Sequence, residues 1–110
     1  MKECMANTLY NVVLARRADN MLLSYIEFLV QVSPSAARRL LYEYKKIVSR
    51  LEENPYQFPY ADEYDIPGIP PKKYRGCIIK NRYKALFLIE NVIVYIDAII
   101  DCRQENNDLY

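Results

Sequence analysis

The stretch KKYRGCIIKNRYKALFLIENVIVYIDAIID, residues 72–101, decides the fold. It divides into three runs rich in β-branched and aromatic residues: 74–80, 82–89 and 92–101. Each has the composition of a strand. Asn81 separates the first two, and Glu90-Asn91 the last two. Connections this short leave room only for hairpins, so the three runs form an antiparallel meander.

Working back toward the N-terminus, residues 55–71 carry five of the six prolines. Proline cannot donate to a strand ladder, so this segment is a stiff internal loop and not a central strand. Its four aromatics, Tyr56, Phe58, Tyr60 and Tyr64, are expected to pin it to the body of the domain. Before it, Ala37, Leu40, Leu41, Tyr44, Ile47, Val48 and Leu51 recur at helical spacing, with Arg38, Arg39, Lys45, Lys46 and Arg50 largely off that stripe. Ser33 caps this helix, Pro34 suits its first position, and Asn54-Pro55 stops it. A preceding helix carries Ala18, Leu22, Tyr25, Ile26, Leu29 and Val30 on one face. The very short connection between the two makes an antiparallel helix hairpin. Residues 9–15, LYNVVLA, read as a first strand. The order is β-α-α-β-β-β: an α+β domain over residues 1–110, with a small antiparallel sheet packed against an N-terminal helix hairpin.

A two-residue turn at Glu90-Asn91 sets Ile89 opposite Val92, Leu86 opposite Tyr95 and Lys84 opposite Asp97. Tyr83, Ala85, Phe87, Ile89, Val92, Val94, Ile96, Ala98 and Ile100 then share one face, which packs on the helices. Arg82, Lys84, Tyr95, Asp97, Asp101 and Arg103 share the other. A two-residue turn near Asn81 adds Lys73, Arg75 and Cys77 to this second face; a three-residue turn moves them to the first.

The 110 residues are 52% hydrophobic and 26% charged, a globular composition. Cys4, Cys77 and Cys102 are odd in number and show no C-x-x-C spacing, so neither a disulfide framework nor a zinc site is expected, and free thiols fit a reducing cytoplasm. No apolar run reaches spanning length, and the polar start is not a signal peptide. Histidine is absent, so any catalysis falls to Lys, Arg, Tyr, Asp, Glu, Cys or Ser. The net charge of +1 hides an asymmetry. Residues 66–89 hold Lys72, Lys73, Arg75, Lys80, Arg82 and Lys84 and no acid. The remaining chain has nine basic and fourteen acidic side chains, a balance of −5. This basic block offers a site for phosphates or for an acidic partner segment. The plainer alternative is cross-strand ion pairing, Lys84 with Asp97 and Arg103 with Asp101 or Asp97, at about 0.2–1 kcal/mol each.

The segments ARRADNMLLSYIEFL, SPSAARRLLYEYKKIVSRLEENPYQFP and KKYRGCIIKNRYKALFLIENVIVYIDAIIDCRQE, taken in order, resemble the RelE/ParE family of bacterial toxins from type II toxin–antitoxin systems. The resemblance runs over nearly the whole chain. It implies a cytoplasmic toxin silenced by a cognate antitoxin protein, with no cofactor, metal or membrane. Two activities occur in the family: ribosome-dependent cleavage of mRNA, and inhibition of DNA gyrase without nuclease chemistry. For the first, the resemblance implies a catalytic set of Arg75, Lys84, Arg103 and Tyr110, with Lys72, Lys73, Lys80 and Arg82 as RNA- or phosphate-binding residues. The RNA 2′-hydroxyl would attack its own 3′-phosphate; Arg75 and Arg103 would hold the phosphate, and Lys84 or Tyr110 would move protons. Asp97 is either a base or the partner of Lys84. The alternatives are the gyrase inhibitor, or a toxin homologue acting only as an antitoxin-binding domain.

Overall fold

The molecule is described by a computed structural model over residues 9–61 and 68–102. Its elements are β1 (Asn11–Leu14), α1 (Arg16–Val32), α2 (Pro34–Glu53), a 3-10 turn (Pro55–Gln57), β2 (Arg75–Ile79), β3 (Tyr83–Glu90) and β4 (Ile93–Asp101). The order is the expected one.

Ser33 alone joins the helices. Its extended backbone ends α1, where its N–H bonds the Leu29 carbonyl, and its hydroxyl accepts from the Ala36 N–H to cap α2. Pro34 occupies the first turn of α2, where a missing N–H leaves nothing unsatisfied. Asn54 closes α2 and reuses its side chain to cap the 3-10 turn through Tyr56 N–H, at 3.1 Å. Ala18, Leu22 and Leu29 of α1, and Ala37, Leu40, Ile47 and Leu51 of α2, are buried. These are the a/d-type positions of the two stripes. Val30 and Leu41, expected on those stripes, lie exposed at their margins.

The sheet order is β1-β4-β3-β2. The meander is antiparallel as expected, but β1 lies parallel to β4, from Asn11 opposite Ile93 to Leu14 opposite Ile96. The sheet is therefore mixed. The cause is the helix hairpin: a chain that leaves β1 and crosses one face through helices returns to the sheet in the starting direction. Phe87, Ile79, Ile96 and Ile99 are fully buried beneath the helices, beside Leu40 and Leu51. Each such side chain contributes about 1.5–3 kcal/mol of apolar burial.

The β3–β4 register differs from the expected one in two places. The turn is Asn91-Val92, with Asn91 at φ 57, so Glu90 pairs with Ile93 and Leu88 with Tyr95. A β-bulge then shifts the pairing between Phe87 opposite Ile96 and Leu86 opposite Ala98. The extra residue in β4 is Asp97. Beyond it the alternation changes phase. Ile99 and Asp101, not Ala98 and Ile100, follow the helix face, and Lys84 faces Ile100 instead of Asp97. Tyr74 takes the place expected of Lys84, its hydroxyl donating to Asp97 Oδ2 at 2.8 Å.

The second sheet face is not open. Ala61, Ile69 and Tyr74, from the proline-rich segment and its exit, bury against Leu86, Ala98 and Ile100. Phe58 inserts on the helix side against Phe87, with ring centroids 6.0 Å apart. Tyr56 and Tyr60 stay about half exposed, and Tyr64 lies outside the described residues.

Candidate functional site

The β2–β3 connection places the basic residues. Arg82 N–H bonds the Ile79 carbonyl at 3.2 Å, closing a turn whose central residues, Lys80 and Asn81, both have φ 58. Ile79 nevertheless pairs with Tyr83, so the loop holds three residues. That is the longer of the two alternatives read from sequence. It puts Arg75 and Cys77 on the helix face, opposite Phe87 and Ala85, and leaves Lys84 on the other face, opposite Ile78.

Arg75 sits at the start of β2, half-buried. One guanidinium nitrogen donates to the Phe58 carbonyl at 2.7 Å. The guanidinium carbon lies 4.3 Å from the centre of the Tyr60 ring and 5.2 Å from that of Tyr56. These tyrosine faces attract the cation. Lys72 and Lys73 stand beside it, Lys72 in the left-handed region at φ 54. With Glu90 and the apolar ends of β3 they enclose a cleft of about 310 Å³.

Arg82 turns toward α1. Its Nε and a terminal nitrogen reach the two carboxylate oxygens of Asp101 at 3.1 and 2.9 Å, a bidentate pair. Asp101 is 3% exposed, the one buried charged side chain among the described residues. These hydrogen bonds push the guanidinium pKa up. Tyr25 stacks 4.9 Å from Tyr83 and donates to the Ile99 carbonyl at 2.8 Å; burial raises both phenols. The tight pairing explains why Arg82, expected beside Lys84, is drawn to the helix side.

Lys84 lies on the second face with its stem across Gly76. A Cβ at Gly76 would come within 3.2 Å of Lys84 Cδ and 3.4 Å of Ala61 Cβ, so a larger residue there requires the lysine stem to shift by a few tenths of an ångström. Lys84, Arg82 and Cys102 line a shallow hollow of about 210 Å³ at the sheet's end. Lys80 projects to a third place, a wide groove between edge strand β2 and α2, shared with Arg38, Arg39 and Tyr42. Arg103 and Tyr110 lie outside the described residues.

The fold thus gathers Lys72, Lys73 and Arg75 at one end of the hairpin and Arg82 and Lys84 at the other. Arg75 and Lys84 sit on opposite faces. Sequence reading missed Tyr56, Tyr60 and Glu90 as companions of Arg75. The tyrosine spacing was the available signal, and it reads equally well as simple anchoring. Among the described residues no cluster of metal-ligating side chains occurs, and no helix is long and apolar enough to cross a membrane.

No protein-family model matches the chain, and no curated protein sequence matches it. Among solved structures, it is similar to a chain of the chromosomal ParDE TA system from P. aeruginosa, with a TM-score of 0.64 and 17% identity. The match covers 84% of this chain and 95% of that one. At this identity the likeness shows a shared fold, the RelE/ParE-like α+β arrangement that the sequence resemblance implies.

Proposed function

We propose that this chain is the toxin half of a type II toxin–antitoxin pair, held silent in the cytoplasm by a cognate antitoxin, and that it acts by binding, as an inhibitor of DNA gyrase. One observation carries the choice of activity. Arg75 and Lys84, the described members of the nuclease set, lie on opposite faces of the sheet. Arg75 is further held by a backbone carbonyl and two aromatic rings. A phosphorane needs its charge-stabilising donors aimed at one point, about 2.7–3.1 Å from the developing oxyanion. These two residues cannot meet there without rebuilding the hairpin. The ParDE name of the structural neighbour agrees with this reading.

The ribosome-dependent endoribonuclease is the second reading. It is favoured by the hollow that holds Lys84 and Arg82 at Cys102, directly before Arg103. In that form Lys84, Arg103 and Tyr110 carry the chemistry, and Lys72, Lys73 and Arg75 guide the message. One experiment separates the two. Purified protein is added to a gyrase supercoiling assay and to a coupled translation reaction followed by primer extension. Loss of supercoiling with intact message supports the binding toxin. Ribosome-dependent cuts that disappear in Arg103→Ala establish the nuclease and sink the gyrase reading.

A further inference from the structure

The geometry points to the cleft beneath Tyr56 and Tyr60 as a nucleotide-binding site. Its charge and its flat rings are the same whichever activity the protein has.

Three features coincide there. The first is charge. Among the described residues no acid pairs with Lys72, Lys73 or Arg75; Arg75 meets a carbonyl and two tyrosine rings, and Lys73 the ring of Tyr74. Arg75 spends one nitrogen on Phe58, and its remaining donors have no protein partner among the described residues. Convergent Lys and Arg suit phosphate oxygens. The second is flat surface. Tyr56 is 53% and Tyr60 47% exposed. Aromatic rings beside a cationic groove are the platform on which bases stack, whatever their identity. The third is Glu90, an exposed residue of the cleft's lining. A carboxylate repels a bare phosphate but accepts hydrogen bonds from a ribose hydroxyl or a base amino group. Phosphate, ring and hydroxyl are thus each matched in a cleft whose 310 Å³ lies at the small end of ligand pockets.

The walls are set before any ligand arrives. Asn54 caps the turn bearing Tyr56, Pro55 beside it is buried, and Tyr60 pairs with Arg75 as an isolated bridge. Lys72 holds a left-handed backbone that lysine rarely adopts, and such strain concentrates at ligand sites.

The ligand is a nucleoside phosphate, either free or within a single strand. The test measures anisotropy of a labelled oligouridylate about six nucleotides long, with AMP and inorganic phosphate as competitors, on the full chain. Tyr60→Leu should weaken binding about tenfold or more, while Tyr60→Phe retains it. Lys72→Ala with Lys73→Ala should lower the salt slope by about 1.4. Lys46→Ala, on the exposed side of α2 and outside the cleft, should leave binding unchanged. Competition by AMP identifies a free nucleotide as ligand; oligonucleotide binding that AMP cannot displace identifies a single strand. The proposal is overturned if phosphate competes as well as AMP, if Lys46→Ala weakens binding as much as the double variant, or if neither AMP nor the oligonucleotide binds.

Discussion

Cys77 gives the sharpest quantitative test of the core. It is 2% exposed, opposite Ala85 on the helix face. Burial pushes its thiol from an ordinary 9.0 up to about 12, against the opposing pull of Arg50 and Lys84. Above pH 9 the unfolded chain releases this proton while the folded chain keeps it. The folded state then binds more protons, so its stability is intact below about pH 9 and falls as pH rises toward 12. The slope is about 1.36 kcal/mol per pH unit, or roughly 2–3 kcal/mol by about pH 11. That is a large part of the 5–15 kcal/mol typical of a domain. Tyr25, Tyr44 and Tyr83, also raised by burial, steepen the fall above their ordinary 10.0. Urea unfolding of the wild type and Cys77→Val, at intervals between about pH 8 and pH 11, reads the effect directly. Valine fills the site without a proton to lose, so the stability difference should move in the variant's favour by about 2–3 kcal/mol across that span. Parallel curves would refute the buried, protonated thiol.

Three further substitutions test the local arguments. Arg82→Met removes both hydrogen bonds to the buried Asp101; allowing for the partial exposure of Arg82, the urea midpoint should report a loss of about 2 kcal/mol. Ser33→Ala removes the α2 cap and should cost about 1 kcal/mol, measured the same way, with most of the loss in helical dichroism. Lys80→Gly relieves a left-handed lysine at φ 58 and should raise stability by about 0.5–1 kcal/mol, seen as a higher melting temperature.

What the sequence disclosed was local. Ser33-Pro34 and Asn54-Pro55 mark helix ends through capping and the missing proline N–H, and they fall within a residue of the observed bounds. The strands were visible for the same reason. The parallel seat of β1 was not, because nothing within residues 9–15 encodes a partner some eighty residues away. The phase change at Asp97 was hidden too: an apolar strand such as IVYIDAIID offers no alternation that could reveal a bulge. The consequences spread to the site. With the bulge, Lys84 loses Asp97 and Asp101 turns inward to Arg82. The position of Arg75 hung on one residue of turn length, and only the observed three-residue loop sets it among the tyrosines.

The strand order places β4 between β1 and β3, so the strand made last of these four is the one that both neighbours need. On the ribosome, β1 emerges before the helix hairpin and waits through it for its sheet partner, β4. The helices likewise wait for Ile96 and Ile99, the floor on which their apolar stripes rest. A nascent chain truncated before residue 93 has two helices and a hairpin but no central strand. Such long-range pairing folds late, and the sheet closes only once β4 has been made. Under the proposed toxin function this ties activity to the making of β4: chains stopped before it lack the sheet and, with it, every site built on the sheet.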